Sequence, residues 1–154
     1  MGESPASRAE EAPRIVLDSN VVLDWLYFRD PRCAAVADAV TERRVRWIAS
    51  AAMRDEIEHV LERGALGTRW PDGAASVRDG WQRWVSMVEE PRCAPTLAMR
   101  CSDPDDQKFI DLALAARAVA LLSADRAVLR LARRARAWGL SISTASAWRH
   151  APPT

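Results

Sequence analysis

The chain has 154 residues, 49% of them hydrophobic, and a formal net charge of +1. That length suits one globular domain with its own core, and near-neutrality excludes a global electrostatic pull toward nucleic acid, so any such attraction must come from local basic patches. Cys33, Cys93 and Cys101 show no Cys-x-x-Cys spacing and no nearby histidine, which argues against a disulfide framework or a zinc site; with no signal-peptide core and no run of membrane-spanning length, a cytoplasmic, reduced setting with no membrane partner is expected.

Residues 1–13 are polar, acidic and rich in Ala, Ser, Glu and Pro, and read as a disordered leader. The domain is expected over 14–147, with 148–154 as a tail. Its first strand is Arg14-Ile15-Val16-Leu17-Asp18, an apolar run that stops at an acid and opens directly into a helix over about 20–28. Asp30 and Pro31 form an N-cap and first helical position for a helix reaching about Arg44. Val45–Ala49 is the second strand, and Ser50 caps a helix that carries Met53, Ile57, Val60 and Leu61 until Gly64 stops it. A Gly/Pro-rich loop over 64–73 precedes a helix with Val77, Trp81, Trp84, Val85 and Val88 on one side; Pro91 and Pro95 end that unit. Asp103-Pro104 starts a helix bearing Phe109, Ile110, Ala113 and Leu114. Val119–Ser123 is the third strand, Asp125–Trp138 a helix stopped by Gly139, and Leu140–Ser143 the fourth strand. Strands alternating with helices specify a parallel sheet with helices on both faces.

In such folds the chemistry sits at the carboxyl ends of the strands. Asp18 is placed there by the first strand, Glu56 by the helix after the second, and Asp125 by the third; Asp105 and Asp106 lie in the first turn of the helix that feeds the third. A carboxylate at the mouth of an apolar strand is costly unless something cationic offsets it. A convergent carboxylate set without histidine or thiolate points to hard cations, Mg²⁺ or Mn²⁺. Singly, each acid also has a structural reading: Asp103 as an N-cap before Pro104, Asp105 and Asp106 at the positive end of a helix dipole, Glu56 as a solvated residue near Arg63, Asp125 as the cap of the following helix.

Taken together, three segments in this order resemble the PIN-domain family of metal-dependent ribonucleases, especially its bacterial branch of toxin components of toxin–antitoxin pairs: Asp18-Ser19-Asn20-Val21-Val22-Leu23, Asp103-Pro104-Asp105-Asp106-Gln107-Lys108-Phe109, and Leu121-Leu122-Ser123-Ala124-Asp125. With Glu56 they span nearly all of 14–147. The resemblance implies a three-layer α/β/α domain with a central parallel sheet. It implies an Mg²⁺- or Mn²⁺-dependent endoribonuclease whose metal and catalytic residues are Asp18, Glu56, Asp106 and Asp125, supported by Asn20 and Ser123. Either Asp105 or Asp106 can be the ligand; Asp106 fits better, because Ile110 and Ala113 then follow four and seven residues on, as in the family. Ser19 stands where the family usually has threonine and keeps the hydroxyl. RNA is the implied substrate and a small antitoxin the implied partner, and a homodimer is allowed. The alternative is a non-catalytic PIN-like module that binds nucleic acid. A haloacid-dehalogenase-type phosphatase also starts from an aspartate after the first strand, but wants a second one where this chain has Asn20.

Neither His59 nor His150 is placed to serve as a base, so activation of water falls to the cation. Asp24 reads as a surface or helix-pairing acid. Arg126, Arg130, Arg133, Arg134 and Arg136 read as a solvated helix face opposite Val128, Leu131, Ala132, Ala135 and Trp138, with contact to RNA phosphate as the competing reading. Trp25, Trp47, Trp81, Trp84 and Trp138 read as packing anchors, and Trp70 as a loop aromatic.

Overall fold

A computed structural model describes residues 12–64, 66–67, 69–92 and 97–149. Most of the expected leader, Cys93, Pro95, His150 and the end of the expected tail lie outside the described residues.

The strands are β1 (Arg14–Leu17), β2 (Arg46–Ala49), β3 (Val85–Met87), β4 (Ala120–Leu122) and β5 (Ser141–Ser143). All pair in parallel, in the order β3-β2-β1-β4-β5. The helices are α1 (Ser19–Leu26), α2 (Ala34–Thr41), α3 (Ala51–Glu62), α4 (Gly73–Trp84), α5 (Gln107–Ala115), α6 (Arg126–Leu129) and α7 (Ala132–Ala135). Among the described residues no helix is long and apolar enough to cross a membrane.

The three layers follow from the pleat, which sends alternate side chains to opposite faces. From β1, Ile15 and Leu17 enter one buried cluster with Val21, Val22 and Leu26 of α1 and Val36, Ala39 and Val40 of α2. Val16 enters the other, with Phe109, Ile110, Leu112 and Ala113 of α5, Val128 of α6 and Ala135 of α7. Strand β4 divides likewise: Ala120 and Leu122 join the α1 side, Leu121 the α5 side. A central strand buried on both sides must be apolar throughout, which is why Ile15-Val16-Leu17 shows no polar alternation.

The sheet has one more strand than expected. The apolar pattern places Val85 in the helix before it, but α4 ends at Trp84 and the chain enters β3 with no loop; Val85 has φ −80° and ψ 135°. Trp47 pairs with Val85 and Ile48 with Ser86, and the Val88 amide donates to the Ala49 carbonyl at 2.9 Å. A three-residue strand carries too little periodicity to override a helical pattern, and the open edge of β2 decides its state. The expected helix over 125–138 is also interrupted: the Leu131 amide bonds the Val128 carbonyl at 3.0 Å in an i→i−3 step between α6 and α7, and a 3₁₀ turn over Arg136–Trp138 follows. Gly139 then takes φ 73° and stops the run as expected. Trp138 is 51% exposed and is no packing anchor, whereas Trp47 is buried against Trp25 and Trp81 at ring-centroid distances of 5.5 and 5.2 Å. Trp148 is buried in the α1-side core.

Gly80 lets α4 approach α1. A Cβ at Gly80 would lie 2.7 Å from Leu26 Cδ2 and 2.8 Å from Cδ1, and Leu26 is itself buried. Gly80→Ala gains about 1 kcal/mol in helix propensity but overpacks this contact, at a cost of about 1–3 kcal/mol. A net loss of stability is expected, read as a lower urea midpoint at unchanged slope.

Candidate metal centre

The chain leaves β1 for β2 and β3 on one side, then crosses back to place β4 on the other side of β1. This reversal opens a crevice at the carboxyl ends of β1 and β4, the position where parallel α/β sheets bind ligands. Asp18 follows β1 directly. Its amide donates to the Leu122 carbonyl at 2.9 Å, extending the β1–β4 pairing by one residue, while its carbonyl accepts from the Val21 and Val22 amides and starts α1. The side chain is thereby fixed at the floor of the crevice, 4% exposed.

Ser123, fully buried after β4, completes this floor. Its Oγ donates to Asp18 Oδ2 at 2.7 Å and accepts from the Asp125 amide at 2.9 Å. Asn20 Oδ1 accepts from the Ala124 amide at 3.0 Å, tying α1 to the same loop. Burial, with the nearby charges of Glu56 and Asp125, raises the Asp18 pKa above its ordinary value, and the Ser123 hydrogen bond works against that rise.

Opposite stands the turn before α5. Asp103 Oδ1 accepts from the Asp105 amide at 3.0 Å, and Pro104 occupies the next position, so this acid is the N-cap expected from the sequence. Asp106 turns inward, 8% exposed, while Asp105 is exposed. Asp125 caps α6 by accepting from the Ala127 amide at 2.8 Å. One oxygen each of Asp103, Asp106 and Asp125 lies within 4.8 Å of the other two. Burial is the largest cause raising the Asp106 pKa to about 7, followed by a hydrogen bond with Asp125 and the charges of Asp18, Asp125 and Asp103. Asp106 Oδ2 is buried without a hydrogen-bond partner.

Of the four acids expected to converge, Asp106 and Asp125 belong to this trio, and Asp18 lies close enough for its charge to act on Asp106. Glu56 is outside the trio but near enough for its charge to act on Asp18, with both oxygens engaged: Oε1 accepts from Lys108 Nζ at 2.8 Å and Oε2 from Ser19 Oγ. The sequence pattern marks Asp103 only as a cap and gives Lys108 no role. The cap is real, and the same short side chain also reaches the trio. The signal for Lys108 is its singularity, as the chain's one lysine. His59 is exposed on α3, and Asp24 is half-buried in α1, its pKa raised by burial and by Asp30.

A parallel α/β domain with buried carboxylates converging at its switch point has the architecture and donor set of a hard-cation centre. The sequence gives the family: a model of the PIN domain matches residues 14–127, and the chain belongs to the PIN-domain family. No curated protein is similar in sequence to this chain. Among solved structures it is similar to VapBC2 from Rickettsia felis, solved bound to a DNA fragment from their promoter, with a TM-score of 0.56 and 10% identity over 85% of this chain and 98% of that one. At that identity the likeness concerns the fold.

Proposed function

We propose that this PIN domain is an Mg²⁺- or Mn²⁺-dependent endoribonuclease acting in the cytoplasm, the toxin of a pair restrained by a small antitoxin. The observation that carries the reading is the unpartnered, buried Asp106 Oδ2 inside a set of oxygen donors: a desolvated carboxylate facing other carboxylates is stable as an anion only with a cation beside it. Asp103, Asp106 and Asp125, with Asp18 next to them, are the residues that would hold it. When bound, such an ion polarises the scissile phosphate and lowers the pKa of water, the two requirements of phosphodiester hydrolysis at neutral pH. The protein's part is preorganisation. Ser123 fixes the rotamer of Asp18, the cap bonds of Asp103 and Asp125 fix theirs, and Asn20 holds the Ala124 amide. The toxin assignment and the antitoxin partner are supported by the motif resemblance and by the fold shared with VapBC2.

Incubating the purified chain with single-stranded and structured RNAs, with Mn²⁺ or with chelator, tests the reading. Cleavage that requires Mn²⁺ is expected; RNA binding without cleavage by the metal-loaded protein would favour the non-catalytic module.

Arg126, Arg130, Arg133, Arg134 and Arg136 are all exposed, on a segment that begins next to Asp125. Among the described residues none of them forms an ion pair with an acid, as a face reserved for phosphate requires. Changing Arg130 and Arg134 together to Ala is expected to weaken RNA binding. The salt dependence should flatten by about 0.7 in log–log slope for each phosphate of a single strand that these side chains no longer neutralise, with Mn²⁺ affinity unchanged. Equal RNA affinity at low salt in wild type and double variant would show that these arginines are a solvated face.

A further inference from the structure

The carboxylates around Asp18 stand at two unlike places. At one, the oxygens of Asp103, Asp106 and Asp125 converge, and Asp106 Oδ2 lacks a partner. At the other, Glu56 is already neutralised: Lys108 Nζ donates to its Oε1 at 2.8 Å and to the Asp105 carbonyl at 2.6 Å, and Ser19 holds its second oxygen. Nζ also lies 5.0 Å from the Phe109 ring centroid, an arrangement that favours a cation. The Lys108 side chain is 25% exposed, so its charge is partly withdrawn from water. Nuclease sites that use two metals hold the ions about 3.5–4 Å apart, so a second ion needs further carboxylate oxygens free beside the first. Here Glu56, the further acid whose charge reaches Asp18, is taken by an ammonium.

We propose that Lys108 replaces the second divalent ion. The centre then takes one Mg²⁺ or Mn²⁺ at the Asp103–Asp106–Asp125 trio, and the Lys108 ammonium supplies the other positive charge that a phosphodiester meets. This rests on the metal-site reading of the proposed function. Lysine suits the role better than the arginine used everywhere else in this chain, because an ammonium is a compact point charge, whereas a guanidinium spreads its charge over a planar fork. Two of the three Nζ protons are committed to Glu56 and Asp105, which leaves one to donate to a phosphate oxygen. An ammonium neutralises phosphate charge and does not activate water, so the two places have different work.

Counting bound Mn²⁺ on the intact, chelator-stripped chain by calorimetric titration and electron paramagnetic resonance tests this without any activity assay. One Mn²⁺ per wild-type chain is expected. Lys108→Met is expected to bind a second, weaker ion, and Lys108→Met combined with Glu56→Gln to return to one. Two ions in the wild type would overturn the assignment of Lys108 and leave the metal centre standing, as would a folded Lys108→Met that still binds one. If Lys108→Met does not fold, the wild-type count decides alone. Failure of the wild type to bind Mn²⁺, or binding unaffected by Asp106→Asn, would overturn the metal-site reading and this inference with it.

Discussion

Asp106→Asn is expected to raise the melting temperature of the chelator-treated protein at pH 7.5 and to abolish its response to Mn²⁺. Asp106 is buried among acids, and its pKa stands at about 7 in the folded chain against an ordinary 3.8. Between those values the folded protein holds a proton that the unfolded chain has released. The resulting stabilisation is complete below 3.8 and is lost as pH rises through 7. Metal-free wild type should therefore melt progressively lower as the buffer is taken from about pH 5.5 to about pH 8, and Asp106→Asn, which carries no charge to repel, should flatten that slope. Asp18, also raised by burial, acts in the same sense. Asp30, lowered by its hydrogen bonds with Arg32, acts in the opposite sense, in a pH range below this window. A cation takes the place of the proton, so the Mn²⁺-induced shift of wild type should grow with pH. At hundredfold excess over Kd, mass action contributes about 2.7 kcal/mol, or roughly 5–10 °C at about 2–4 °C per kcal/mol for a domain of this size. Thermal scans across pH with Mn²⁺ and with chelator measure all of this. An undiminished Mn²⁺ shift in Asp106→Asn would remove Asp106 from the centre.

Asp18→Asn is expected to leave the fold intact and to lower Mn²⁺-dependent RNA cleavage by more than about 100-fold, since even an outer partner of a metal site typically costs about 10–100-fold. The amide keeps the shape of the carboxylate and accepts from Ser123 Oγ through its remaining oxygen, so the β1–β4 junction survives while the negative charge is lost. Cleavage at constant RNA, with circular dichroism on the same preparation, separates loss of chemistry from loss of structure. Wild-type cleavage by Asp18→Asn would place the chemistry elsewhere. Ser123→Ala should have a smaller effect through the same atoms, because Asp18 would keep its charge and lose its anchor.

The sequence by itself determined the elements with strong local signals and their order. Ile15-Val16-Leu17 reads as a strand because a strand buried on two faces must be apolar throughout. Asp30 and Asp103 read as caps because a short acid before proline can accept from a free amide two residues on, and both do so. Asp18, Glu56, Asp125 and one of Asp105 and Asp106 were expected as a set from their places at strand ends and in helices in a chain that alternates the two. The tertiary structure alone decided the rest. It made a strand of Val85–Met87, whose pairing depends on the free edge of β2. It turned Asp106 inward and Asp105 outward, a choice between neighbouring acids of the same type in one turn. It drew Asp103 into the trio while leaving it a cap, and it set Lys108 of α5 on Glu56 of α3. These contacts join residues far apart in the chain: 105 positions separate Ser123 from Asp18 and 52 separate Lys108 from Glu56. Caps and periodicity are governed by neighbours a few residues away, whereas charges meeting across a crevice are governed by where the crossovers return the chain.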